Sequence, residues 1–137
     1  MLSHTAEYAL RAVLYLAERG KAGPVQVGVI AQALRIPRNY LSKILHLLAR
    51  HGVLDSTRGK LGGFRLAAPP ERLYLVQVVS PFWRLGETRH CLLGRPQCSD
   101  QTACAAHARW KDVAERLATF FRETTVAELL GGAAVAA

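Results

Sequence analysis

VGVIAQALRIPRNYLSKILHLLARHGVLDSTRGKLGGFRL, residues 27 to 66, is the stretch whose reading decides the fold. Val27, Ile30, Ala31 and Leu34 recur at the i, i+3, i+4, i+7 spacing that gathers apolar side chains on one face of a helix. Arg35-Ile36-Pro37 breaks that helix. A second is predicted from at or near Pro37, a residue favoured in a first helical turn, with its stripe at Leu41, Ile44, Leu45 and Leu48. Gly52 is placed to end it. Two short helices joined by a tight turn predict a helix-turn-helix, whose second helix enters the major groove of DNA. From Val53 to Leu66, two short runs of alternating character flank a glycine-rich turn, which predicts a β-hairpin. A hairpin directly after a recognition helix makes a winged helix.

The polar face of the second helix offers Arg38, Asn39, Tyr40, Ser42 and Lys43 near its N-terminal end, where base edges are usually reached. Arginine pairs with guanine and asparagine with adenine, each good bidentate contact contributing about 1 to 3 kcal/mol of discrimination. The hairpin tip adds Arg58 and Lys60, placed to approach phosphates or, for Arg58, to enter the minor groove. Charge agrees with this. Between Gln32 and Leu66 seven cations face one acid, Asp55, so this stretch holds six of the eight net positive charges of the chain. Such concentration implies an anionic partner, the competing reading being a solvated basic face.

Working outward, Thr5 to Arg19 has the spacing of a helix with one buried stripe, and Glu7 falls in its first turn, where a negative charge complements the helix dipole. Pro69-Pro70 mark the end of the head. A linker helix is predicted through Leu75, Val78, Val79 and Phe82, with Pro81 expected to kink or shorten it. Residues 84 to 103 are too rich in Gly, Pro, Ser and Asp for regular structure. From about Cys104 to Glu123 a long helix presents Trp110, Val113, Ala114, Leu117, Phe120 and Phe121, a stripe read as a dimer seam in preference to intramolecular core. Thr125 and Glu128 form a capping-box pattern opening a short last helix, closed by Gly131-Gly132.

The expected fold is therefore mainly α with a small β-wing: a winged helix-turn-helix head with its N-terminal helix (1–68), a linker helix (69–83), a cysteine-rich loop (84–104), a long C-terminal dimerisation helix with a short terminal helix (104–130) and a tail (131–137). A chain of 137 residues is long enough for this and too short for several domains. No run of about 18 apolar residues predicts a membrane span, and the N-terminus has neither a basic region nor a cleavage site, so a cytoplasmic protein is expected.

The loop holds all three cysteines, Cys91, Cys98 and Cys104, and His107 follows three residues after the last. An odd number of cysteines in a reducing compartment argues against a disulfide framework. Thiolates are soft ligands that suit iron-sulfur clusters and zinc, and an imidazole would complete tetrahedral coordination. No CxxC pair supports a thiol redox enzyme, so no catalytic residues are assigned and the chain is not expected to be an enzyme.

The runs Glu7-Tyr8-Ala9-Leu10-Arg11, Arg38-Asn39-Tyr40-Leu41-Ser42-Lys43-Ile44, Arg58-Gly59-Lys60-Leu61-Gly62-Gly63 and Cys104-Ala105-Ala106-His107-Ala108-Arg109-Trp110 resemble the winged-helix iron-sulfur transcription regulators, the family that includes IscR and NsrR. The resemblance extends from Glu7 to Thr125. It implies a homodimer on a palindromic DNA operator, controlled by an iron-sulfur cluster that senses nitric oxide, oxygen or redox state, or cluster supply. It also implies that Cys91, Cys98 and Cys104 are cluster ligands. His107 as the fourth ligand implies a two-iron (2Fe-2S) cluster, and Glu7 of the partner subunit in that role implies a four-iron (4Fe-4S) cluster. His107 is favoured, because three residues beyond Cys104 on a helix would set both side chains on one face. His90 is expected to be a surface residue. The chain has one more residue between its first two cysteines than IscR, and Pro81 interrupts a helix usually uninterrupted in the family. The competing expectation is a winged-helix regulator with a structural zinc or a metal-free thiol redox switch.

Overall fold

A computed structural model describes residues 2–19, 22–84, 92–93 and 100–131 of the chain. The first helix, α1 (His4–Glu18), starts where the Ser3 hydroxyl accepts the Ala6 amide at 3.2 Å, satisfying one of the orphan donors of a helix start. Its inner face is built from Ala6, Ala9, Ala12 and Val13, all fully buried. Side chains this small let α1 lie close to its neighbours, and it contacts α2 (Val27–Leu34), α3 (Arg38–Arg50), the wing and α4 (Leu75–Val79). The head is therefore assembled around α1.

The turn between α2 and α3 depends on Arg35, whose φ of 55° puts a non-glycine residue in the left-handed region, at a cost of about 1 kcal/mol. Three contacts offset that cost. The Ile36 amide donates to the Ala31 carbonyl at 3.1 Å, Ile36 is buried, and the Arg11 guanidinium of α1 donates to the Leu34 carbonyl at 2.7 Å. Pro37 then precedes α3, whose buried residues Leu41, Ile44, Leu45 and Leu48 are the stripe expected from the spacing.

The wing pairs β1 (Leu54–Thr57) with β2 (Gly63–Leu66) antiparallel, Leu54 opposite Leu66 and Thr57 opposite Gly63. A further attachment had no sequence pattern behind it. Val25, two residues ahead of α2, exchanges both backbone hydrogen bonds with Phe64, at 2.9 and 2.8 Å, so the hairpin is held against the start of the helix-turn-helix. Phe64 points inward, is buried, and meets the His46 ring of α3 edge-on at 5.2 Å.

The linker helix is shorter than expected. α4 stops at Val79, because Pro81 cannot continue the ladder, and Phe82 lies beyond its end. The long helix α5 (His107–Glu123) starts three residues later than expected. Its predicted stripe divides: Ala114 and Phe121 are buried, together with Ala118, whereas Val113 and Phe120 remain about half exposed at 49% and 48%. Phe121 packs edge-on against Trp83, their ring centres 5.3 Å apart. After α5 the chain returns to the head. The Leu75 amide donates to the Thr124 carbonyl at 2.9 Å and the Val126 amide to the Leu73 carbonyl at 2.7 Å, with Val126 fully buried. Thr125 and Glu128 cap each other reciprocally, the Thr125 amide donating to the Glu128 carboxylate and the Glu128 amide to the Thr125 hydroxyl, and a short 3-10 turn, Ala127–Leu129, follows.

Candidate nucleic-acid interface and cysteine segment

The buried stripe of α3 turns its opposite face outward. Arg38, Asn39, Tyr40 and Lys43 are exposed there and Ser42 is half-buried. These side chains share one end of one helix. Tyr40 is not a loose surface residue: its hydroxyl is hydrogen-bonded to the Thr5 hydroxyl and its ring meets Tyr8 edge-on at 5.8 Å, so α1 fixes where the recognition helix begins. Farther along, Ser42, Lys43, His46, Leu47 and Arg50 line a shallow groove. His46 and Arg50 went unnoticed in the sequence, although their spacing of four from Ser42 and from each other was available as a signal.

Arg58 and Lys60 are exposed on the wing tip, with Leu61 between Lys60 and the glycines at 92% exposure. Near the wing base, Asp55 and Arg65 form an exposed ion pair at 3.9 Å. Among the described residues no ion pair engages Arg38, Lys43, Arg50, Arg58 or Lys60. Their charge is therefore available to an external anion, and α3 and the wing present it together.

Of the expected metal ligands, Cys91 and Cys98 lie outside the described residues, as does His90. Cys104 is half-buried and precedes α5, and its carbonyl accepts the His107 amide at 3.0 Å. The two residues are thus joined by one hydrogen-bonded turn and do not share a helical face, which replaces the geometry expected from their spacing. The His107 ring is largely buried, at 11% exposure, and its Nε2 lies 2.9 Å from an Asp100 carboxylate oxygen. The His107 hydrogen bond, followed by Lys111 with its ammonium 3.4 Å away, holds the Asp100 carboxyl below the usual carboxylate range. Asp100 is so placed that it sets the tautomer and orientation of that imidazole. Glu7 is exposed on the first turn of α1.

Residues 2–132 match the family described as Rrf2, iron-dependent transcriptional regulator. The chain belongs to the Rrf2 family. It is 30% identical over 129 residues to the HTH-type transcriptional regulator IscR of Escherichia coli, covering 94% of this chain and 79% of that protein. Against IscR of Xenorhabdus nematophila it is 29% identical over the same length, covering 94% and 78%. Among solved structures, IscR of T. potens superposes with a TM-score of 0.74 at 22% identity, covering 95% of this chain and 85% of that one. CymR, the global cysteine regulator of B. subtilis, also gives 0.74, at 20% identity and 94% and 95% coverage. The fold is that of the Rrf2 winged-helix regulators, and the chain is a DNA-binding transcriptional regulator and not an enzyme. Among the described residues of this Rrf2 regulator, no helix is long and apolar enough to cross a membrane.

Proposed function

We propose that this Rrf2 regulator binds a palindromic operator as a homodimer and that an iron-sulfur cluster held by Cys91, Cys98, Cys104 and His107 governs the binding. The observation that carries this reading is the placement of Cys104 and His107 in one turn at the start of α5, whose other end is hydrogen-bonded to the head through Thr124 and Val126. Three thiols and an imidazole oriented by a carboxylate form a donor set that fits a soft iron-sulfur centre. When bound, the cluster would supply a centre reactive toward oxidants and nitric oxide. His107 in the fourth position implies two irons; Glu7 of the partner subunit would imply four. The chain's own contribution is mechanical: Asp100 aims His107, and the loop between Cys91 and Cys104 is drawn to the head of α5. The exposed Val113 and Phe120, continued by Leu92 and Trp110 in a groove beside the cysteine segment, supply the apolar face for a second copy.

The test uses protein purified without oxygen and a duplex that it selects from a random-sequence pool. Cluster-loaded and cluster-free chains should differ in affinity for that duplex at one salt concentration, and equal affinities would remove control by a cluster. Iron and sulfide counts separate two irons from four, and a colourless protein carrying one zinc per chain would replace sensing by structural metal.

Direct reading of sequence falls to Arg38 and Asn39, assisted by Tyr40, Ser42 and Lys43, while Arg58 and Lys60 hold the duplex through the wing. Arg38→Ala should cost about 1 to 3 kcal/mol on the selected duplex and relax the preference at one base position. Lys60→Ala should weaken selected and unrelated duplexes by a similar factor and reduce the salt slope by about one. Competition binding with single-base variants measures both, and a sequence-selective loss for Lys60→Ala would reverse the two roles.

A further inference from the structure

The wing tip is tethered at a point that its own hairpin does not supply. Gln26 Nε2 donates to the Lys60 carbonyl at 2.8 Å, across 34 residues of sequence. The backbone of Gln26 is immobilised, because its carbonyl accepts the Val29 and Ile30 amides at the start of α2. One residue away on the other side, Val25 holds the base of the same hairpin. The first turn of α2 meets the recognition helix too, since a side chain added at Gly28 would touch the Arg38 guanidinium at 3.8 Å. A single turn of helix therefore abuts both elements that carry the unpaired cations.

We propose that Gln26 is a positioning residue for DNA binding: it fixes Lys60 at a set distance from Arg38 and so gauges the span that the head presents to a duplex. The inference rests on the wing's proposed role in DNA binding. Groups as exposed as Gln26 and Lys60 contribute little to folding when they bond. Their bond acts on binding because a tip already held in place does not have to be ordered when the duplex arrives. It reaches the Lys60 carbonyl, so Lys60→Ala keeps the tether while removing the charge it positions. That separation makes the proposal testable.

The experiment takes the full chain, purified without oxygen, and measures affinity for the selected duplex with Gln26→Met, Lys60→Ala and the double substitution, alongside the melting midpoint of each. Methionine keeps the length of glutamine and cannot donate. Gln26→Met should weaken binding about three- to tenfold, the usual worth of one such hydrogen bond. It should leave the melting midpoint unchanged, and add nothing further in the Lys60→Ala background. An equal loss in both backgrounds would overturn the proposal, because Gln26 would then touch DNA itself. A lowered midpoint would overturn it in favour of a folding role. Normal binding by Gln26→Met beside weakened binding by Lys60→Ala would also overturn it while sparing the wing. Normal binding by Lys60→Ala would remove the wing's role and this inference with it.

Discussion

Alanine at Gly63 is expected to lower the melting midpoint by about 10 °C and operator affinity by about a hundredfold, the largest effect of any single substitution outside the core. Gly63 has a φ of 145°, in the region that L side chains rarely adopt. A Cβ there would lie 2.3 Å from the Val25 carbonyl oxygen and 2.4 Å from its carbon. Both are backbone atoms, so no rotamer relieves the clash. The Val25–Phe64 bridge must open, and its two hydrogen bonds, together with the seat of the buried Phe64 ring, go with it. Strain and lost bonds together cost about 3 kcal/mol. Gly59 supplies the control: its φ is also positive, at 103°, but nothing lies within 4 Å of the position a Cβ would take, so Gly59→Ala should cost only about 1 kcal/mol. Far-ultraviolet circular dichroism of Gly63→Ala should retain the helical signal while binding is lost. A variant that melts and binds as the parent does would show that the hairpin is not held by Val25.

Raising monovalent salt from about 50 to about 200 mM is expected to weaken operator binding by about a thousandfold, the consequence of neutralising roughly six phosphates. Arg38, Lys43, Arg50, Arg58 and Lys60 have no ion-pair partner among the described residues, whereas Arg65 is matched by Asp55. Two chains on one operator bring ten such cations, and six phosphate contacts need only part of them. A plot of log affinity against log salt should therefore be linear with a slope of about −5. Arg50→Gln should make it shallower by about one, because Arg50 lines the groove beside Lys43 and His46. A wild-type slope shallower than about −2 would mean that this face does not meet the phosphate backbone.

The helix-turn-helix was legible because burial follows spacing there without competition. Leu41, Ile44, Leu45 and Leu48 are each at most 2% exposed, as a one-sided stripe demands. The reciprocal cap of Thr125 and Glu128 was legible for a similar reason, since both partners lie within one turn. Spacing says which residues share a face and not what that face meets. For this reason the stripe of α5 was read as one seam, although Phe121 turns to Trp83 of its own chain while Phe120, one residue earlier, stays outside. Val25 pairing with Phe64 is a single-residue bridge, too short to leave a pattern, and a bond from a glutamine amide to a distant carbonyl leaves none. The start of α5 was misplaced because Cys104, Ala105 and Ala106 carry nothing that forbids a helix. Cys91 and Cys98 fall outside the described residues, so the expectation for them rests on chemistry and resemblance.

The return of the chain to Leu73 and Leu75 after α5 acts as a buckle. With both strands of that short bridge made, and Val126 and Phe121 shut beneath it, the reading surface and the 25 Å or so of α5 are clasped into one lever. In a pair of such levers joined along α5, little freedom is left inside either arm. Any signal that re-spaces the two reading surfaces then acts at the fulcrum, by changing the angle at which one α5 crosses the other.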